Sequence, residues 1–288
     1  MNFIGTGLVL LAAILWGLSG GIGSILMDKG WDPLLVSFYR GAVGLLCILF
    51  WLSLNFKKNF QVTRPLVLWS ILAGIGVAGN FAFYFFSISL SGVAVASTLM
   101  YTAPLFVLLI SFLLRTEQIT LFKGVSIAVV MAGISLLTNV YEVGVGNLNS
   151  IGIITGLLAG ISYAIFIFGF KYASAHGRPQ TILTIAFFVF SVLLVFLIDG
   201  EQLVSVFYSD DLFLFVVLGV VGAGLSFFLY IKGVKIVSPS VASVVAMIEP
   251  VTASLFGVLI LGEFLSFTQT IGMAIILITI TLLSTRKS

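Results

Sequence analysis

Apolar runs of about 20 residues, the length that crosses a hydrocarbon core of about 30 Å, follow one another from the first few residues of this chain to its last. Hydrophobic residues make up 60% of the 288 and charged residues 8%, against about 45–50% and about 25% in soluble domains. A soluble fold is excluded, and no stretch is left for a separate soluble domain. The runs predict spans at about 4–26, 34–54, 66–90, 95–114, 121–140, 151–171, 180–198, 212–235, 241–261 and 267–284. The fold expected is an all-α integral membrane protein of ten transmembrane helices. The stretch Met1–Leu26 has no basic leader or small-residue cleavage site and reads as a retained helix.

An even number of spans puts both termini on one side of the membrane. Of the 13 Lys and Arg residues, Lys57, Lys58, Arg64, Arg115, Lys123, Lys171, Arg178, Lys232, Lys235, Arg286 and Lys287 share that side, and the positive-inside rule makes it cytoplasmic. The opposite loops hold Asp28, Asp32, Glu142, Asp199, Glu201, Asp210, Asp211 and Glu263, with Lys29 the one base among them. The net charge of +3 is therefore a topology signal and not a nucleic-acid patch. Cys47 is the single cysteine, so neither an internal disulfide nor a thiolate metal site is expected, and no cofactor is implied.

Pro33 and Pro179, Pro104 and Pro250, and Glu117 and Glu263 are each 146 positions apart, and Val95-Ala96-Ser97 recurs at the same offset as Val241-Ala242-Ser243. The chain reads as two five-helix units, 1–144 and 145–288. Five is odd, so the second unit enters the membrane inverted, the architecture associated with alternating access. Pro33, Pro65, Pro179 and Pro239 fall at helix starts, where a missing N–H matters little. Pro104 and Pro250 fall near the middle of the fourth and ninth spans, where they are expected to kink the helix and free the carbonyls of Met100 and Ala246. Such groups are tolerated in a membrane only beside protein, water or ligand.

Trp16-Gly17 in the first span, Phe38-Tyr39-Arg40 in the second, Pro104 followed by Leu-Leu-Arg-Thr-Glu117, and Glu249-Pro250 followed by Leu-Gly-Glu263 complete a pattern. It resembles the EamA branch of the drug/metabolite transporter superfamily over nearly the whole chain. The resemblance implies a ten-helix bundle with cytoplasmic termini and a central cavity lined mainly by helices 1, 3, 4, 6, 8 and 9. It also implies movement of amino acids, other small metabolites or drugs, often outward. The first unit has Thr-Ala-Pro104 where the second has Ile-Glu-Pro250, so any acidic role is one-sided.

Glu249 is the mid-span carboxylate, costing about 2.5–3.5 kcal/mol at a bilayer centre even on a lenient scale. It could bind a substrate amine, accept a proton that couples transport, or serve as a structural partner. Arg40 lies roughly 9 Å below the outer end of its helix. It could snorkel to the surface, pair with Glu249, or hold a substrate carboxylate, with the first two favoured. Asn80 and Tyr84 share a helix face; an amide there either lines a site or bonds a neighbouring helix. Trp16, Tyr101, Tyr163 and Tyr230 offer an aromatic body with one polar group, suited to a cavity for amphipathic metabolites or cations, and equally to a packed core. Glu117 and Glu263 are expected to cap or pair at helix ends.

Together these residues predict a secondary transporter of the cytoplasmic membrane for a small polar or amphipathic metabolite, most plausibly an exporter. A proton or substrate gradient would drive it, because the chain has no nucleotide-binding G-x-x-x-x-G-K-[ST] loop. An enzyme is not expected, since the spans hold no His and a single mid-span carboxylate. A channel, or a non-transporting assembly or receptor protein, is the alternative. Substrate, coupling ion and oligomeric state stay open.

Overall fold

The computed structural model describes residues 3–118, 120–144 and 149–285. Every regular element among them is helical. In chain order the main helices are α1 (Phe3–Asp28), α2 (Pro33–Ser53), α3 (Arg64–Met100), α4 (Ala103–Leu113), α5 (Leu121–Leu137), α6 (Ser150–His176), α7 (Pro179–Val195), α8 (Leu212–Val234), α9 (Pro239–Leu261) and α10 (Phe267–Thr285). Six of these, α1, α2, α3, α6, α8 and α9, are long and apolar enough to cross a bilayer; α4, α5, α7 and α10 are shorter apolar helices. The chain is a multi-pass membrane protein. Arg286, Lys287 and the side chain of Lys58, used above to argue orientation, lie outside the described residues, as does the junction 145–148 between the two expected units.

Helix starts follow local chemistry. Asp32 accepts from the amides of Leu34 and Leu35 at 2.8 and 3.1 Å, and Asn149 accepts from Ile151 and Gly152 at 2.9 and 3.2 Å. Each such cap is worth about 1 kcal/mol. Proline stands at the first or second position of α2, α3, α7 and α9.

Helix association in lipid depends on close packing rather than on expulsion of water, and the glycines of α6 make that packing possible. A methyl group at Gly156 would lie 2.8 Å from Leu99 Cβ, and one at Gly169 2.7 Å from the amide nitrogen of Ala73. The small-residue face Gly152, Gly156, Gly160 is thus the seam against α3, the most extensive helix pairing of the bundle.

Three departures from helical regularity matter for the site. The expected break between spans 66–90 and 95–114 is present inside α3 at Gly92 (φ 78°, ψ 166°): Ala73, Gly76 and Ser87 pack against Gly169, Phe166 and Gly152 of α6 in turn, and after Gly92 the chain runs back, with Leu99 on Gly156 and Met100 on Gly160. Glycine reaches that conformation without a Cβ penalty. The returning arm is interrupted at Tyr101 (φ −75°, ψ 5°) and Thr102 (φ −72°, ψ −4°) before it continues as α4, so the irregularity expected at Pro104 falls two to three residues ahead of it. In α9 the interruption is at Met247 (φ −68°, ψ 2°), three residues before Pro250. Finally, α8 and α9 each contain a π-helical turn, Val220–Leu225 and Gly257–Leu261.

Candidate functional site

Beside the interruptions at Tyr101 and Met247, α1, α3, the end of α5 and α9 surround a common space. A cleft of about 330 Å³ opens there, with Ser24, Tyr84, Ser97, Tyr101, Pro250 and Ser254 among its walls. Exposed Val93 and Glu263 stand at its rim. A wider hollow of about 840 Å³ is bounded by Phe112–Gln118 alone. It lies along one mostly exposed segment whose enclosed polar group, Glu117, is already tied to Lys123 and Ser240, so the smaller cleft is the candidate.

Tyr84 and Tyr101 face the cleft, and Tyr84 shares a hydrogen bond of 2.9 Å with Ser97 Oγ. Behind them Tyr163 on α6 donates its hydroxyl to Glu249 Oε2 at 3.4 Å. Arg40, Tyr101 and Tyr163 all lie within electrostatic reach of Glu249. Arg40 does not snorkel: its Nε donates to the carbonyl of Gly222 at 3.1 Å, and its guanidinium lies 5.1 Å from the Phe81 ring centroid. The acceptor belongs to the π-helical turn of α8, whose wider winding changes the helix's own bonding pattern. Arg40 and Glu249 form no ion pair within 4 Å. They are neighbours across the site, not a closed pair.

The other expected residues divide. Asn80 is buried, and its Nδ2 donates to the carbonyl of Ala159 on α6 at 3.1 Å, so its amide ties two helices. Trp16 and Tyr230 are buried against each other, ring centroids 4.9 Å apart, in a block with Phe166, Phe170 and Phe227. Neither the Trp16 Nε1 nor the Tyr230 hydroxyl has a hydrogen-bond partner. This block lies further along α6 and α8 than the cleft, toward His176 and Val234. Gly17, next to Trp16, seats α1 on α9: a methyl there would lie 2.6 Å from Thr252 Cβ and 2.9 Å from the amide nitrogen of Ala253.

At the end of the bundle opposite the cleft, Glu117 makes a clamp. Its Oε1 accepts from the amide of Ser240 at 3.1 Å and from Ser111 Oγ at 3.3 Å, and its Oε2 pairs with Lys123 at 2.7 Å. Burial pushes the Glu117 carboxyl up, but Lys123 and the Ser240 amide outweigh it and hold it below the usual carboxylate range. Glu263 sits at the end of α9, as expected, and also lines the cleft. Gly262, in the left-handed conformation (φ 74°), turns the chain there, and the Glu263 amide donates to the Gly257 carbonyl at 3.1 Å.

Several known proteins resemble this chain along most of its length. An uncharacterized transporter of Archaeoglobus fulgidus is 29% identical over 275 residues, covering 95% of this chain and 93% of that protein. The uncharacterized transporter YwfM of Bacillus subtilis is 24% identical, covering 96% and 92%. Protein PecM of Dickeya dadantii is 27% identical, covering 85% and 80%. A solved crystal structure superposes with a TM-score of 0.80 at 20% identity, over 98% of this chain and 97% of that one, a likeness of fold. The model of the EamA-like transporter family matches twice, at residues 3–139 and 150–285. Two matches that between them take in nearly every described residue leave one assignment: the chain belongs to the EamA-like transporter family, a family of membrane transporters and not of enzymes.

Proposed function

We propose that the protein is a secondary active carrier of a small polar or amphipathic metabolite, working by alternating access around the Glu249 cleft. Its frame is ten spans in two inverted five-helix units, 1–144 and 145–288, set in the cytoplasmic membrane with both termini inside. The direction is outward, and the driving gradient is of protons or of the substrate itself. The observation that carries this reading is a one-sided access path. A largely enclosed carboxylate with its tyrosine donor stands next to Pro250, which lines a cleft that opens at one end, and within electrostatic reach of Tyr101 in the cleft wall. The opposite approach is filled by the Trp16–Tyr230 aromatic block and fastened by Glu117. About 330 Å³ suits a metabolite-sized ligand, near the low end of the usual range of about 300–1,000 Å³. Tyr84, Tyr101 and Tyr163 supply aromatic faces and hydroxyls, and Glu249 supplies the charge that recognises an amine or takes a proton.

Purified protein reconstituted in proteoliposomes tests this. Saturable counterflow supports a carrier; unsaturated flux with steady conductance supports a channel. A thermal-shift screen of amino acids, nucleosides, sugars and organic cations finds the ligand class, since a ligand of the folded state raises apparent stability. Glu249→Gln abolishes uphill accumulation and leaves exchange measurable if the carboxylate carries the coupling proton. Equal loss of both assigns it to binding or structure.

A further inference from the structure

The two glutamates that follow the broken helices are built alike up to one point. Glu117 turns back on its own helix so that its carboxylate meets Ser111; Glu263 turns back so that its carboxylate lies over Gly257, and 111 and 257 are themselves 146 positions apart. Thr120 caps the amide of Lys123 at 3.3 Å, and its counterpart Ser266 caps that of Gln269 at 3.2 Å. The interruptions at Tyr101 (φ −75°, ψ 5°) and Met247 (φ −68°, ψ 2°) also correspond. What differs is the partner. Glu117 holds the Ser240 amide in the first turn of α9, whereas Glu263 stands exposed at the cleft.

The counterpart of Ser240 at the same offset is Ala94, two residues beyond the bend at Gly92. Val93, next to it, is exposed and lines the same cleft as Glu263. Carboxylates at helix starts are stabilised by backbone amides and by the helix dipole. We infer that Glu117 and Glu263 are exchanging latches. Glu117 fastens the start of α9 in the present state; Glu263 fastens the helical start at Ala94 when the cleft closes and the opposite end opens. Glu117 is assisted by Lys123, and Glu263 has Gln269 at the matching place, its side-chain amide already engaged with the carbonyl of Leu137 at 3.2 Å. The Glu263 latch is therefore the weaker one, and the resting protein keeps its cleft open.

This inference rests on the alternating-access reading, and its test separates the two. The background is full-length Cys47→Ser protein in proteoliposomes. Ser97→Cys, in the cleft wall, reports cleft opening through its rate of labelling by a membrane-impermeant thiol reagent. Adding Glu117→Gln is expected to slow that labelling about tenfold, the loss of one charge-assisted hydrogen bond. In a separate protein, Ala94→Cys with Glu263→Cys is expected to cross-link several-fold faster when Glu117→Gln is present. Glu117→Cys with Ser240→Cys, expected to cross-link readily, reports that such variants fold. Slowed labelling with no acceleration of the 94–263 cross-link overturns the latch and leaves alternating access standing. Labelling unchanged by Glu117→Gln overturns the latch as well, while the alternating-access reading stands or falls on counterflow.

Discussion

Tyr163 on α6 donates its hydroxyl to the Glu249 carboxylate on α9 across 3.4 Å, joining residues 86 positions apart beside Pro250 of the cleft wall. The bond is long, and its geometry places it near the weak end for a charged acceptor, about 1 kcal/mol. Tyr163→Phe is therefore expected to weaken substrate affinity by about fivefold with transport retained. Counterflow in proteoliposomes measures it. A loss as complete as that of Glu249→Gln would give the phenol a larger part in transport than holding the carboxylate.

Arg40 is held by geometry that lysine does not reproduce. Its Nε meets the Gly222 carbonyl and its planar head lies against Phe81; a point-charge ammonium offers neither. Arg40→Lys is expected to destabilise the protein nearly as much as Arg40→Gln. Because removing one of two facing buried charges strands the other, Arg40→Gln with Glu249→Gln should be more stable than Arg40→Gln alone. Thermal unfolding in detergent distinguishes these orders, and a double variant that is simply additive would show the two charges to be independent.

The clamp at Glu117 predicts a pH dependence. Its carboxyl titrates lower in the folded protein than in the unfolded chain. The stability it contributes is thus present above the ordinary carboxylate pKa of about 4.3 and is lost as pH falls through the lower, folded value. Glu117→Gln should cost about 1.5–3 kcal/mol at pH 7, and the difference from the native protein should shrink below about pH 4. Melting curves across that range would show a constant gap if Lys123 and Ser240 did not favour the ionised form.

Gly17→Val introduces atoms where Thr252 Cβ and the Ala253 amide leave no room. Overpacking of this kind costs about 1–3 kcal/mol. Gly124→Ala is the control: no atom lies within 4 Å of its added methyl, and it occupies a helix interior. There the exchange should gain about 0.5–1 kcal/mol. Thermal stability of the two variants should move in opposite directions.

The apolar helices, six of them long enough to cross a bilayer, were legible because lipid permits so few alternatives to them, and the proline starts of α2, α3, α7 and α9 because proline chemistry is local. Asn80 and Tyr84 were legible as buried polar residues of one helix. The sequence could not separate them, because Asn80 is satisfied by a carbonyl of α6 while Tyr84 faces the cleft. Arg40 misled for a similar reason. Its depth allowed snorkelling, and only the π-helical turn of α8, a product of tertiary packing, supplies the carbonyl that keeps it inside. Glu263 was legible as a helix-end residue, which it is; that this end of α9 borders the cleft depends on how the helices pack.

The aromatic block between the cleft and the Glu117 clamp contains two orphaned donors, the indole of Trp16 and the phenol of Tyr230. A plug of phenylalanine alone would be drier and tighter. These two groups each forgo a bond that water would give them, a deficit of about 1–3 kcal/mol apiece, so flooding this half of the bundle returns part of what separating the rings takes away. Under the alternating-access cycle proposed above, that return lowers what opening this end of the bundle must cost.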